Sequence, residues 1–172
     1  MAEHPTTTVD VGIRRLRRAR VARRAFLSVL ALFVALGALG VYGVRTTTAR
    51  AQAHGWELTV RHPQIDRGGL PVTFEIAVRR DGAIHEPVVL RVASEYLDHF
   101  DSNGVVEPQP ASATATDEFA QWEFAPPPGD VLVVRFDVRV QPGARGRTPG
   151  WVEVVSGERS GPRVAFSTWS MP

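Results

Sequence analysis

The sequence has no cysteine and no lysine among its 172 residues. The lack of cysteine excludes disulfide bonds, thiolate metal sites and a cysteine-linked lipid anchor. The lack of lysine excludes the lysine-to-asparagine cross-links used by some bacterial surface domains. A folded domain in this chain must therefore be held together by its hydrophobic core.

Complete motifs for catalysis are also missing. His85-Glu86 begins like the zinc motif H-E-x-x-H, but Val89 stands where the second histidine is required. Residues 157–161 read GERSG, with the serine one place later than in the nucleophile motif G-x-S-x-G. Glu95 and His99 lie at helical spacing, but a lone acid and histidine on a turn are usually hydrated surface groups. We therefore predict no catalytic residue, no cofactor and no metal, with a hydrolase as a minor alternative.

Arginine supplies all 20 basic residues and is unevenly distributed. Residues 1–24 carry seven arginines and two acids, for a net charge of +5, whereas residues 54–172 carry 11 arginines and 16 acids, for −5. A basic flank followed by an acidic domain argues against a nucleic-acid partner. It favours an anionic membrane surface next to the N-terminus.

An uncharged apolar run extends from residue 25 to residue 44, AFLSVLALFVALGALGVYGV. As a helix, this run would reach about 30 Å, the thickness of a bilayer's hydrocarbon core. Seven arginines, including Arg23 and Arg24, precede it, whereas only two follow closely, the first of them Arg45. Because positive residues near a span stay on the cytoplasmic side, we predict a single-pass protein of the cytoplasmic membrane, with its N-terminus inside and its C-terminal domain outside. Tyr42 suits the headgroup level at the end of the span.

A cleaved signal peptide is the alternative interpretation of the same run. Ala49-Arg50-Ala51 and Ala51-Gln52-Ala53 match the small-x-small pattern of a cleavage site, and Arg23-Arg24 resembles the twin-arginine export motif. Against cleavage, the apolar run is longer than the roughly 7–15 residues typical of a signal peptide. We favour the anchor, and either interpretation places the C-terminal domain outside the cytoplasm.

After a spacer at residues 45–55, the hydrophobic period changes to two. Alternation predicts strands at residues 56–61, 70–79, 88–94, 119–124 and 132–140, a short strand at 105–107, and a closing hairpin from 151–155 and 164–169. Pro63 is expected to end the first strand region, because proline cannot donate to a central ladder. Residues 111–117 and 141–150 are expected to be loops. All four tryptophans lie in these strands, which favours core packing over stacking on sugars.

Seven to eight short strands with turns between them, and no long helix after the apolar run, predict an all-β fold. The expected architecture is an immunoglobulin-like antiparallel β-sandwich of seven to eight strands, preceded by one N-terminal transmembrane helix. A small closed barrel is the alternative. The predicted organisation is a basic cytoplasmic tail (1–24), a transmembrane helix (25–44), a spacer (45–55) and an extracytoplasmic sandwich domain (56–172).

The succession EYLDHFDSNG, WEFAPPPGD and VRFDVRVQPG follows a basic tail, a span and a threonine-rich spacer. In this succession the chain resembles single-pass bacterial membrane proteins with an extracytoplasmic immunoglobulin-like domain, a group without a characterised function. The resemblance implies the sandwich architecture and a place beside other membrane proteins. It departs from antibody-type domains, since their cysteine pair is missing here.

Residues 95–103 interrupt the regular alternation and form the candidate interaction surface. One helical turn there would pack Tyr96 and Phe100 inward, and loops on rigid domains often present contacts. Asp98 and Asp101 could instead coordinate calcium loosely, although a calcium loop around Gly104 would be incomplete at both ends. The candidate contact residues are Glu95, Tyr96, Asp98, His99, Phe100, Asp101 and Asn103.

These observations favour a non-enzymatic interaction module that is anchored in the lipid bilayer and binds or supports another membrane or envelope protein. The alternative is a domain that is cleaved, secreted and binds calcium or a glycan.

Overall fold

The structure is a computed structural model that describes residues 7–38, 43–156 and 159–171. Contacts divide the chain into two units, one up to Gly43 and one from Val44 onward. The first unit contains the apolar helix, and the second contains the described strands.

Helix α1 extends from Thr7 to Ala38 and includes most of the apolar run. Its segment Arg17–Ala38 has a mean hydropathy of 1.8, and none of its most apolar stretch is buried by the rest of the chain. Within the described residues, this is the one helix long and apolar enough to cross a membrane, although a signal sequence would have the same properties. The predicted helix is found as far as Ala38, while residues 39–42, including Tyr42, lie outside the described residues.

Ten strands and one short helix are described in the second unit. In chain order they are β1 (Arg45–Ala53), β2 (Trp56–Arg67), β3 (Pro71–Arg80), β4 (Val88–Ala93), α2 (Ser94–Leu97), β5 (Phe100–Glu107), β6 (Ser112–Ala115), β7 (Phe119–Phe124), β8 (Val131–Val140), β9 (Gly146–Ser156) and β10 (Arg159–Met171). The prediction of a β-rich domain after one N-terminal apolar helix is therefore confirmed.

The strands form one hydrogen-bonded sheet that curls back on itself. Their order is β5-β8-β3-β2-β10-β9-β4-β7-β6, with β1 also paired to β2. The rings of Trp122 on β7 and Phe136 on β8 are 5.3 Å apart, although these strands lie near opposite ends of the order. The two halves of the sheet thus face each other across a shared core. The more specific immunoglobulin-like arrangement stays a prediction.

Alternating apolar residues of β3 and β8 supply the centre of this core, as their pattern predicts. Phe74, Ile76 and Val78 are almost fully buried, and antiparallel pairing places Ile76 opposite Val134. Burial of an apolar side chain of this size stabilises a fold by about 1.5–3 kcal/mol relative to leaving it in water.

The tryptophans do not all follow the core-packing prediction. Trp56 is buried, and Trp122 and Trp151 pack against the core from partly buried positions. Trp169, however, is 54% exposed. The prediction is wrong for this residue because Trp169 is on the outward face of β10.

Strand β1 replaces the predicted spacer. Its residues pair with β2 from Arg45 to Ala53, and Ala49 and Ala51 pack against the core. His54 and Gly55 join the two strands, and both have positive φ, 53° and 77°, which suits a two-residue hairpin turn. The strand was not predicted because its inward residues include small alanines, which produce no strong hydrophobic alternation.

Strand β2 continues beyond Pro63, where the sequence predicted a strand end. It pairs with β3 only as far as Arg61, whereas Ile65 to Arg67 pair in parallel with β10. Pro63 lies where β2 changes partner, beside a register shift, and proline is tolerated at such irregular positions. Residues 112–115 and 146–150 are also strands rather than loops, so ten strands are described where seven to eight were predicted.

Candidate functional site

The structure places the predicted contact residues in different environments. Glu95, Asp98 and Asp101 are exposed. Tyr96, His99 and Phe100 have exposed fractions of 0%, 8% and 4%, so they are not available to a partner of the folded domain. Asn103 belongs to β5, but its side chain lies outside the described residues. Among the predicted contact residues whose side chains the structure describes, three acids remain exposed.

Helix α2 is a single turn that directs aromatic rings into the core, as the sequence predicts. The Tyr96 ring is 5.5 Å from the ring of Phe74 and meets the ring of Phe100 edge-on at 5.2 Å. It also lies against Gly150 of β9, where an added Cβ atom would be 2.7 Å from the ring. Glycine is therefore needed at this position, because any side chain would displace the tyrosine.

His99 lies at the centre of a buried polar cluster. Its Nε2 atom is 2.9 Å from Asp66 Oδ2 and 3.1 Å from Ser170 Oγ, while its Nδ1 atom is 3.2 Å from Thr148 Oγ1. Asp66 belongs to the end of β2, Ser170 to the end of β10 and Thr148 to the start of β9. The backbone carbonyl of His99 accepts a bond from Gln141 N at 3.0 Å. One histidine thus joins the turn after α2 to three strands.

The cluster contains serine, histidine and aspartate without the geometry of a catalytic triad. In a triad, serine and carboxylate contact opposite nitrogens of the imidazole, so that one nitrogen can take the serine proton. Here Asp66 and Ser170 both approach Nε2 of His99. Asp66 and Ser170 are also 0% and 1% exposed, which keeps substrates away from them. The arrangement can orient His99 and hold the strands, but it does not activate Ser170 as a nucleophile.

A second group of buried hydrogen bonds lies beside the His99 cluster. The carbonyl of Pro63 accepts bonds from Thr168 Oγ1 at 2.6 Å and from His62 Nδ1 at 2.9 Å. Because the hydroxyl proton of Thr168 is used in this bond, the Tyr96 hydroxyl, 3.0 Å away, donates to Thr168 Oγ1. The point at which β2 changes partner is thus bound to both β10 and α2.

Burial keeps Tyr96 and His62, two members of this second group, uncharged. Desolvation raises the pKa of Tyr96 far above its usual value, because a phenolate would be buried away from water. Desolvation lowers the pKa of His62, while the bond to Pro63 acts in the opposite direction. At neutral pH, Tyr96 is therefore a phenol that can donate. His62 is a neutral ring, stacked on Phe166 with 4.3 Å between ring centroids.

The end of β10 reverses the usual pattern of apolar residues inside and polar residues outside. Ser170 is buried, whereas Trp169 is 54% exposed and Met171 is partly exposed. On the parallel neighbour β2, Ile65 pairs with Trp169 and the buried Asp66 pairs with Ser170. A slip by one residue would exchange the two faces. The inward polar cluster therefore favours the register that leaves Trp169 outside.

The outward side chains form a surface that we call the Trp169 patch. Two adjoining clefts of about 400 and 370 Å³ share Met171 within it. Its large apolar side chains are Ile65, Leu70, Trp169 and Met171, and its charged side chains are Arg67, Arg145 and Arg147. No acidic residue is among the described residues that line either cleft. The patch therefore combines apolar surface with positive charge.

A further cleft of about 450 Å³ lies at the turn between β1 and β2. Its tryptophan, Trp56, is only 5% exposed and offers little ring surface to a sugar. In the part of the chain that the structure describes, no group of three or more histidine, aspartate or glutamate residues could hold a metal ion. Asp98 and Asp101 thus have no third such ligand within the described residues.

Sequence reasoning did not identify the polar cluster because its members are far apart in the chain. His99 was interpreted as a hydrated residue, and its contacts Asp66 and Ser170 are 33 and 71 positions away from it. One signal for the reversed strand end was present, however. Counting in steps of two from Val164, which is buried, places Thr168 and Ser170 inward and Trp169 outward.

Comparisons with protein families and with curated proteins find no match. Among solved structures, the chain is similar to the N-terminal domain of an adhesin from Streptococcus gordonii, with 13% sequence identity and a TM-score of 0.44. The similarity covers 62% of this chain and 30% of the adhesin chain. A similarity this weak supports no conclusion about function.

Proposed function

We propose that this protein is a non-enzymatic interaction module, anchored in the cytoplasmic membrane by α1, with its N-terminus inside and its β-domain outside. The domain is proposed to be an immunoglobulin-like sandwich that binds or supports another membrane or envelope protein. The length and apolar character of α1 support the anchor. The excess of arginines before the apolar run supports the orientation.

The position of β1 is the main support for an anchor that is not cleaved. Both candidate cleavage sites, which end at Ala51 and Ala53, lie inside this strand. Cleavage there would remove most or all of β1, including Ala49, and would leave one edge of β2 without its hydrogen-bonding partner. The released domain would be incomplete. This favours the anchor over the alternative of a secreted calcium- or glycan-binding domain.

The non-enzymatic part of the proposal is supported by the geometry around His99. Its contacts with Asp66 and Ser170 converge on one nitrogen inside the domain. We propose that the cluster is a structural support that fixes the ends of β2, β9 and β10, and that binding takes place on the outer surface.

Three exposed acids at and after α2 are the proposed contact for a partner protein. Glu95 is on α2, Asp98 directly follows its last residue, and Asp101 is at the start of β5; all three are exposed. Three carboxylates this close in the chain suit a partner that presents arginine or lysine side chains. The buried Tyr96, His99 and Phe100 would support this turn from inside rather than touch the partner.

We expect the protein recovered from membranes to begin at Met1 or Ala2 and to resist extraction with alkaline carbonate. A continuous α1 would remain in the hydrocarbon core, since its removal would expose about 20 apolar residues to water. Intact-mass measurement of the purified chain and immunoblotting of the extracted fractions provide the two readouts. A soluble chain that begins near His54 would contradict the anchor and support release.

A further inference from the structure

The Trp169 patch contains large apolar side chains that are exposed to solvent. Trp169 is 54% exposed and Leu70 is 42% exposed. The buried Ser170 and Thr168 alternate with Trp169 on the same strand, so the fold hides hydroxyl groups and leaves an indole in solvent. An apolar surface of this kind on a folded domain usually marks an interaction site.

The charge of the patch is opposite to that of the rest of the exported sequence. Residues 54–172 carry a net charge of −5, yet the two clefts of the patch are lined by three arginines and by no described acid. The exposed Glu95, Asp98 and Asp101 line neither cleft. Arg67 Nε is also buried with no hydrogen-bond partner among the described residues. A ligand that supplies anionic oxygen atoms would complement these guanidinium groups.

A row of paired residues connects the patch to the start of β1, which directly follows the apolar run in the sequence. Arg45 is the first charged residue after the apolar run, and it begins β1. Its partner on β2 is Ile65, which pairs with Trp169, and Trp169 pairs with Arg147. Adjacent strands are about 4.8 Å apart, so this row of four residues extends over about 14 Å from the residue that leaves the apolar run.

We propose that the Trp169 patch docks on the phospholipid headgroup layer of the membrane in which α1 is anchored. The inference rests on the proposed anchoring and specifies what the domain contacts beside its anchor. Tryptophan is favoured at the boundary between headgroups and acyl chains, because its ring is apolar and its N–H needs a polar partner. Arg67, Arg145 and Arg147 would bind the phosphate oxygens around it.

Quenching of tryptophan fluorescence by lipid tests this docking. The full chain is reconstituted in phosphatidylglycerol and phosphatidylcholine vesicles, with or without lipids brominated near the top of the acyl chain. We expect the brominated lipid to quench part of the fluorescence of the wild-type chain. Trp169→Phe should remove most of this quenchable part, while Trp122→Phe, on β7, should retain it.

The arginines provide a second measurement that does not alter the fluorophore. Replacing Arg145 and Arg147 by glutamine should reduce the ratio of docked to undocked domain by about fivefold per arginine on anionic vesicles. Arg79→Gln, which removes an exposed ion pair with Asp130, is the matched control and should leave the quenching unchanged. Phosphatidylcholine vesicles should show a smaller effect of the arginine substitutions, because their surface carries no net charge.

The outcomes separate docking from anchoring. If the chain is inserted and resists carbonate extraction, but wild type and Trp169→Phe are quenched equally, the docking proposal is overturned while the anchor stands. That result would assign the patch to a protein partner. If the wild-type chain is extracted from the vesicles by carbonate, both proposals fail.

Discussion

Replacing His99 by leucine should lower the free energy of unfolding of the β-domain by about 1–3 kcal/mol. The substitution removes the imidazole that contacts Asp66 Oδ2 at 2.9 Å and leaves a carboxyl group with no exposed surface in the interior. Removing one partner of a buried hydrogen bond has this cost because the remaining polar group has neither its partner nor water. The other oxygen, Asp66 Oδ1, already has no partner among the described residues, so it cannot supply a replacement contact.

Urea denaturation of the full chain in detergent micelles, followed by tryptophan fluorescence, measures this change. All four tryptophans belong to the β-domain, so the signal reports that domain and not α1. The double variant Asp66→Leu/His99→Leu should be more stable than His99→Leu alone, because no buried carboxyl group without a partner remains. Arg79→Leu breaks an ion pair whose side chains are 62% and 45% exposed, and should cost less than about 1 kcal/mol. Equal stability of His99→Leu and wild type would show that the cluster does not support the fold.

Placing two arginines in α1 should abolish stable membrane insertion. Leu30 and Val34 lie one helical turn apart, and both are exposed, at 47% and 61%. An arginine at the centre of a membrane helix costs about 2.5–3.5 kcal/mol on the insertion scale, so Leu30→Arg/Val34→Arg should cost about 5–7 kcal/mol in total. We expect the double variant to be extracted by alkaline carbonate, while the wild-type chain remains in the membrane pellet.

The control for this variant keeps the helix apolar. Leu30→Ile/Val34→Leu should remain in the pellet, because the hydrophobic length is unchanged. The midpoint of urea denaturation of the β-domain should be the same in both variants, since α1 and the strands form separate contact units. Retention of the arginine variant in the membrane pellet would contradict the role of α1 as a membrane anchor.

The parts of the fold with strong hydrophobic patterns could be predicted from the sequence. Alternating apolar residues identified β3 and β8, because β8 buries all five of its alternating residues and β3 buries Phe74, Ile76 and Val78. The apolar run before residue 45 also predicted α1. A long uncharged apolar segment has few stable environments other than a membrane. The inward packing of Tyr96 and Phe100 also followed from their spacing around a helical turn.

Strand β1 could not be predicted in this way. Its stabilisation comes from hydrogen bonds to β2 and from the close packing of Ala49 and Ala51, and neither produces a hydrophobic period. The turn His54-Gly55 was the available signal, but it differs from the Asn-Gly and Asp-Gly pairs that usually mark such hairpins. The sequence therefore predicted that the domain begins at residue 56, whereas its first strand begins at Arg45.

The candidate site was the least predictable part. His99 contacts Asp66, 33 positions away, and Ser170, 71 positions away, so no local motif contains the cluster. The exposure of Trp169 follows from this cluster, because the polar groups on the inner face of β10 turn the indole outward. A prediction that assigns every tryptophan of a strand to the core cannot anticipate such a reversal.

Labelling of single cysteines tests the orientation of the anchored domain most directly. The chain has no cysteine, so one introduced residue is the sole target of a membrane-impermeant maleimide. In spheroplasts, Ser112→Cys, at an exposed position of β6, should be labelled at once. Thr8→Cys, before the apolar run, should be labelled only after the membrane is permeabilised. Labelling of Thr8→Cys in intact spheroplasts, with Ser112→Cys protected, would contradict a domain displayed outside the membrane.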